Sequence, residues 1–302
     1  MPGPQKMTVS RRELLMAYLG SVLEQKRTTI KNLLKYGAVA VNGKTVRQFD
    51  HQLRPGDELI ITPLKAVAAG RQLEAARIHV VYEDDDLIVV DKPTGLLTVA
   101  SENNKTDTLF YRLNDYLQQR DRRRYVRPQV VHRIDEETSG LVLFARSPEI
   151  KQQLQDNWSA VDKTYWAIVE GQPPQEQGTI TSHLVESRSL QVYSHDHPTG
   201  ASRPATTHYR LLQTREGFSL LEIRLETGRK HQIRVQMATQ LRCPVAGDLR
   251  YHAKSNPCRR LALHAAGISL AHPKTGERMT WQSPLPGRLA RLFPGSRSST
   301  SQ

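Results

Sequence analysis

The sequence is poor in cysteine: Cys243 and Cys258 are the two present, each beside proline or arginine and neither in a CxxC pair. That excludes a disulfide framework and a zinc ribbon and leaves two free thiols. Long apolar runs are missing as well. No stretch approaches the roughly 18 to 20 consecutive apolar residues of a membrane span, and the N-terminal MPGPQKMTVSRRELL lacks a signal-peptide core. A soluble cytoplasmic chain with no membrane partner is expected. The phosphate loop GxxxxGKS/T, the GxGxxG turn, the GxSxG elbow and HExxH are all absent, so ATP, nicotinamide and zinc chemistry lose their usual supports and no cofactor is expected. His195 and His197 have only Asp196 between them and no cysteine nearby. That pattern suits a solvated loop better than a metal centre, and no metal is expected. No repeat at solenoid periods is found.

Positive charge, by contrast, is abundant. Against 30 Asp and Glu stand 43 Lys and Arg, a net charge of +13 and a pI near 9.9. Polyphosphate is the natural partner of such a surface, although a charge run by itself equally describes a solvated loop. The densest knot is QRDRRRYVR, residues 119–127. With 302 residues, 38% of them hydrophobic, the chain can pack one sizeable domain and a small second one.

Residues 7–62 read as a small helix-plus-hairpin module. Ser10 and Glu13 have capping-box spacing ahead of Leu14, Leu15, Tyr18, Leu19 and Val22, which recur at helical intervals. Thr28 or Thr29 can cap a second helix whose apolar face is Ile30, Leu33 and Leu34, and Gly37 stands where a left-handed C-terminal cap is wanted. AVAVNGKTV alternates about Asn42-Gly43, a tight-hairpin dipeptide, and PGDELIIT adds a turn and a strand. Arg27, Lys31 and Lys35 share one face of the second helix, either a phosphate-binding stripe or a solvated surface. Residues 63–77 read as a linker.

From 78 to 292 strands predominate, and residues 293–302 read as a disordered tail. IHVVYED and LIVVDKP form strands joined by an acidic turn at Asp84 to Asp86. Leu109, Leu113 and Leu117 place a helix from about Asp107, and Ser147-Pro148-Glu149 begins another. Leu221, Ile223 and Leu225 alternate as a half-buried strand. Without a regular β-α repeat, this order argues for an α+β fold with a mixed, mainly antiparallel sheet.

Two polar clusters offer chemistry. VVHRIDEETSGLVLFAR, residues 130–146, sets His132, Arg133 and Asp135 in a short charged turn between apolar strands, where a rigid sheet can position them. The same residues also read as an ordinary hairpin, with Asp135, Thr138 and Ser139 satisfying backbone donors and Gly140 supplying the bend. LETGRKHQIRVQMA, residues 225–238, is a Thr-Gly turn feeding the alternating Ile233, Val235 and Met237, with Arg229, Lys230 and Arg234 among them. If Arg234 meets Asp135, the ion pair orients the carboxylate and keeps it anionic.

Taken in order, VVDKPTGLL, HRIDEETSGLVLFAR, KTYWAIVEG, LETGRKHQIRVQMA, GDLRY and RLALHAAGISLAHP resemble the motifs of RluA-type pseudouridine synthases, over roughly residues 78 to 275. The resemblance implies a cofactor-free isomerisation of uridine in RNA: uracil leaves carbon 1′ of the ribose, turns within the pocket and rejoins through its carbon 5. It makes Asp135 the catalytic aspartate, whether that group attacks the sugar, attacks the base or promotes elimination at carbon 2′. It makes Tyr165 the residue that stacks on the base and is proposed for proton transfer, and Arg234 the partner of the aspartate. Leu263 falls where the family lines its pocket, and Arg133 can fill the gap left by a flipped base. His132 orients the turn beside the substrate, while Lys92 is either a phosphate contact or surface decoration. Arg229 and the knot Arg122, Arg123 and Arg124 are further expected RNA contacts. Glu136 and Gln236 depart from common family residues without removing a catalytic group.

The first unit resembles the alpha-L RNA-binding domain through RTTIKNLLKYGAVAVNGKTV and LRPGDEL, although Lys26-Arg27-Thr28-Thr29 stands where Ser-Arg-Ser is usual. Members bearing this module commonly act on large-subunit ribosomal RNA, which is therefore the expected partner ahead of tRNA, with a monomer as the default. Two rivals remain. A non-catalytic RNA-binding or ribosome-assembly factor has no need to keep Asp135, Tyr165 and Arg234. A glycosidic hydrolase needs a second carboxylate, and Glu136 and Glu137, if consecutive in a strand, point to opposite faces.

Overall fold

The computed structural model describes residues 4–23, 25–64, 78–101, 107–121 and 125–294. The chain forms two compact units, residues 1–77 and 78–302. Arg122, Arg123 and Arg124, most of the expected linker and most of the expected tail lie outside the described residues.

In the first unit, strands β1 (Gln5–Thr8), β2 (Glu13–Leu14), β3 (Val39–Val41), β4 (Lys44–Thr45), β5 (Gln52–Leu53) and β6 (Glu58–Ile61) accompany helices α1 (Leu15–Leu23) and α2 (Arg27–Lys35). The order β1-β6-β3-β4 makes an antiparallel sheet, and β2 pairs with β5. Asn42 and Gly43 both take positive φ, 49° and 76°, as a two-residue hairpin turn of this hand requires. At the end of α2, Ala38 N–H donates to Leu33 O at 2.8 Å and Gly37 N–H to Leu34 O at 3.0 Å, closing the helix through the left-handed glycine. Leu15, Leu19, Ile30, Leu33, Leu34, Val39, Leu53 and Leu59 are buried together, each contributing about 1.5–3 kcal/mol. Arg27, Lys31 and Lys35 are exposed.

Two expected caps are not formed. Glu13 pairs with Leu53, and the N–H of Ser10 donates to Tyr18 Oη at 3.4 Å, so the capping-box residues belong to the chain leading into α1. Strand pairing there outcompetes a local cap. Helix α2 starts one residue after Lys26, which places Thr28 and Thr29 inside its first turn, and no side chain caps it.

The second unit contains β7 (His79–Glu83), β8 (Leu87–Lys92), α3 (Leu109–Arg120), β9 (Gln129–Val130), β10 (Ser139–Ala145), α4 (Pro148–Asp156), β11 (Asp162–Glu170), β12 (Gln177–Glu186), β13 (Val192–His195), β14 (Arg203–Arg215), β15 (Phe218–Leu225), α5 (Gln232–Thr239), β16 (Leu263–Ala271) and β17 (Arg278–Gln282). Thr108 Oγ1 accepts from Tyr111 N–H and Ser147 Oγ from Ile150 N–H, capping α3 and α4. The strands form one sheet in the order β13-β12-β14-β15-β11-β16-β10-β8-β7, with β17 on β16 and β9 on β10. It is an α+β fold with a mainly antiparallel sheet, made mixed by one short parallel step between β10 and β16, where Ser139 faces His264 and Gly140 faces Ala265. Gly140 has φ 114°, and a Cβ on it would lie 2.2 Å from the carbonyl oxygen of Ala265. Only glycine lets these two strands meet.

Ile233, Val235 and Met237 alternate in sequence like a strand, yet they lie on α5. Every residue from Gln232 to Met237 is buried, so over that stretch the helix has no solvent face and no amphipathic period. Among the described residues no helix is long and apolar enough to cross a membrane.

Candidate active site

The parallel step gathers three strand ends. The turn carrying Asp135 runs into β10, Leu263 opens β16, and Tyr165 on β11 pairs with Ala265 of β16 beside a register shift between Thr164 and Tyr165. Such a bulge re-aims the side chains next to it.

Into this junction α5 brings Arg234, whose side chain is 4% exposed. One edge of its guanidinium is clamped by Asp248: Nε donates to Oδ2 at 2.7 Å and Nη2 to Oδ1 at 2.9 Å. That leaves Nη1 to reach Asp135 Oδ2 at 3.3 Å and Glu137 Oε2 at 3.4 Å. Burial alone would lower the guanidinium's pKa. The hydrogen bonds and charge of Asp248, then the charges of Asp135 and Glu137, outweigh it and raise the value. The pairing of Arg234 with Asp135 is thus present in the structure.

Asp248, Glu137, His231 and Tyr251 were not anticipated individually. Asp248 lies in the GDLRY segment and His231 in the arginine motif, but nothing in a single sequence says that a particular acid will bracket a particular arginine. Glu136 and Glu137 lie in a bend and not in a strand, so the alternation of faces does not apply to them. The guanidinium of Arg234 sits 5.5 Å from the Tyr251 ring centroid, and Tyr251 Oη lies 2.8 Å from His231 Nδ1. His231 Nε2 in turn stands 4.0 Å from Asp135 Oδ2. Burial lowers the pKa of His231 by more than Asp135 raises it.

Tyr165 is half-buried. Desolvation first, and the negative charge of Asp135 second, raise the pKa of its phenol, which therefore stays protonated at neutral pH. Leu263 is 3% exposed within the core cluster that includes Ile233 and Val245, and its carbonyl accepts from Arg260 Nη2 at 3.1 Å. Arg133 is exposed, and Arg229 Nε donates to Pro204 O at 3.2 Å.

Lys92 is neither a phosphate contact nor surface decoration. It is completely buried at the end of β8, and its Nζ donates to the carbonyls of Pro93 at 3.0 Å, Leu96 at 2.6 Å and Glu136 at 3.0 Å. Burial lowers its pKa to about 7, with Asp135 opposing the shift. The three carbonyl acceptors satisfy its N–H donors, but burial outweighs whatever they give back to the charged form. The effect is to tie β8 to the residue that follows Asp135. His132 is also not an RNA contact through its Nε2, which accepts from Leu143 N–H at 3.0 Å while the ring packs 4.8 Å from Trp158. Burial, followed by the charge of Lys163, lowers its pKa to about 3, and it holds the turn as a neutral ring. Arg120 of the basic knot is held internally by Glu83 and Asp121, both contacts at 2.6–2.7 Å.

Away from this site, Asp84, Asp86 and His272 bring three potential ligand atoms within 4.8 Å of one another. Lys274 Nζ lies 2.5 Å from Asp86, and His272 Nδ1 accepts from the backbone of Lys274 and Thr275, so the cluster has a cation and hydrogen bonds of its own.

Comparison with known proteins bears on the family and the fold. A family model described as RNA pseudouridylate synthase matches residues 86–239. An uncharacterized RNA pseudouridine synthase of Bacillus subtilis, YlyB, is 33% identical over 280 residues, covering 90% of this chain and 90% of its own. Ribosomal large subunit pseudouridine synthase D of Haemophilus influenzae is 30% identical over 290 residues, covering 89% and 86% respectively. Among solved structures, human RNA pseudouridylate synthase domain containing 4 shares the fold, with a TM-score of 0.62 at 22% identity over 76% of this chain and 95% of that one.

Proposed function

The chain belongs to the RNA pseudouridylate synthase family and is an RNA pseudouridine synthase, and from that premise we propose that it isomerises uridine in large-subunit ribosomal RNA, using Asp135, Tyr165 and Arg234. The ribosomal assignment is supported by the relatives named as large-subunit synthases, from Haemophilus influenzae, Pasteurella multocida and Yersinia pestis.

The observation that carries the catalytic reading is the divided guanidinium of Arg234: two nitrogens are fixed by Asp248, and the third faces Asp135 at 3.3 Å. Arginine does not lose its proton at any working pH, so Asp135 faces a permanent positive charge in a site partly closed to water. A carboxylate held in this way can attack or take a proton, which a neutral acid cannot. Tyr165 supplies an aromatic face for the uracil and a phenol that keeps its proton for transfer. The reaction needs no cofactor, since the uracil that leaves carbon 1′ is the group that returns. A paired, stacked uridine cannot reach this junction without leaving its helix, and Arg133, exposed and two residues from Asp135, fills the space it vacates in this reading. The first unit, with Arg27, Lys31 and Lys35 exposed on α2, adds RNA affinity as an alpha-L module.

The test is to map pseudouridines in ribosomal and transfer RNA from cells with and without the protein. A site lost from large-subunit ribosomal RNA is expected. A loss confined to tRNA would overturn the substrate assignment and leave the chemistry standing.

A further inference from the structure

A cavity of about 580 Å³ opens in the second unit between α5 and β13. It is within the size range of sites that hold a small organic ligand. Tyr251 links it to the catalytic junction: this buried residue lines the cavity, lies under the guanidinium of Arg234 and bonds His231. What enters the cavity therefore rests one side chain away from the Arg234–Asp135 pair.

The lining has the chemistry of a nucleotide site. Tyr193 presents a ring that is 50% exposed, as a stacking platform requires. Arg242 and Lys254 are exposed at the rim, and neither has an ion-pair partner among the described residues. Elsewhere in this unit Lys230 is paired with Glu186, Arg210 with Glu222 and Arg278 with Asp162. Glu170, the acid in the lining, feels the charge of Lys254 but forms no ion pair with either cation. Its carboxylate is consumed by the backbone N–H groups of Lys254 at 3.0 Å and Ser255 at 2.6 Å and by Ser255 Oγ at 2.5 Å.

A second, independent feature is the backbone. Arg242 and His252, both on the lining, adopt left-handed conformations with φ 54° and 66°. Non-glycine residues are seldom held there, and such strain gathers where a side chain must be aimed at a ligand. Here it falls on two basic residues at one cavity.

We propose that this cavity is a second nucleotide subsite, which takes one nucleotide of the substrate RNA other than the target uridine, its base against Tyr193 and its phosphate between Arg242 and Lys254. The proposal rests on RNA being the substrate, and it makes β13 and the loop after α5 part of what selects the uridine. An aromatic face with paired cations also suits a free nucleotide, so the test must separate the two sources.

The measurement uses the full chain and an RNA that the wild type modifies, with binding followed by fluorescence anisotropy across salt concentrations and turnover followed separately. Replacing both cations, Arg242→Gln with Lys254→Gln, should weaken RNA binding about tenfold and reduce the slope of log K against log salt by about 1. Tyr193→Ala should weaken binding about fivefold or more, whereas Tyr193→Phe, which keeps the ring, restores it. Arg210→Gln with Arg215→Gln, exposed cations paired with Glu222 and Glu216, serves as the charge-matched control. Equal affinity and slope in the Gln pair and the wild type would overturn the proposal. So would uridine monophosphate shifting the Tyr193 ring resonances while the Gln pair binds RNA normally, since that assigns the cavity to a free nucleotide. Because anisotropy reads binding without turnover, a failure of the catalytic assignment would show in the activity arm alone.

Discussion

Three carboxylates surround the guanidinium of Arg234, those of Asp248, Asp135 and Glu137. Asp248 is wholly buried and takes the bidentate edge, so it fixes where the remaining nitrogen points. The arrangement makes Arg234 structural and functional at once: removing it would strand a buried acid, at a cost of about 3–5 kcal/mol, while also releasing Asp135. Lys92 acts on the same turn from below, through the carbonyl of Glu136. Its folded pKa of about 7 lies below the ordinary 10.5, so between those values the unfolded chain binds the proton more tightly than the folded one. The contribution of this group is therefore complete above pH 10.5 and is lost as the pH falls to about 7. Urea melts should accordingly show Lys92→Met costing more at pH 10 than at pH 6, with a loss of about 2 kcal/mol or more at the higher pH as buried carbonyls lose their donor. Equal losses at both would contradict the buried, shifted lysine.

At the scale of elements, the site exists because β10 and β16 approach in parallel for two residues and then separate. Gly140→Ala would set a Cβ against the Ala265 carbonyl and force a positive φ on an L residue. It should destabilise the second unit by more than about 3 kcal/mol in denaturant titration; a wild-type midpoint would show that the strands can part without loss. The elements that sequence reasoning found are those with local signals: the Asn42-Gly43 hairpin, the Ser147-Pro148 helix start and the alternating Leu221 and Ile223. Those it missed were decided by tertiary structure. Helix α5 is buried all round from Gln232 to Met237, which erases the period that would mark it. Ser10 and Glu13 carry a cap pattern, but the N–H of Ser10 goes to Tyr18 Oη and Glu13 is taken by β2 and its partner strand. Lys92 read as a surface cation because charge says nothing of the three carbonyls folded around it. Asp135, Tyr165 and Arg234 were legible through ordered motifs, whereas Glu137 and Asp248 became visible only once α5 and the turn before β10 were seen to meet.

Over the whole molecule the net charge of +13 is distributed across two units that use it differently. In the first unit a short helix turns Ile30, Leu33 and Leu34 inward and leaves three cations exposed. Replacing Arg27, Lys31 and Lys35 together by alanine should lower the salt slope of RNA binding by about 2, as three lost phosphate contacts would. An unchanged slope assigns them to solvent. In the second unit, many cations are tied to acids of the fold, and the site depends on one of these pairings. The proposed reaction turns on Asp135. Purified wild type and Asp135→Asn should be incubated with ribosomal RNA and the pseudouridines mapped after matched RNA binding has been verified. The wild type is expected to form pseudouridine and the variant to lose at least about 10³-fold in rate, the order of loss expected when an essential reacting group is removed; pseudouridine formed by the variant at the wild-type rate would contradict the account.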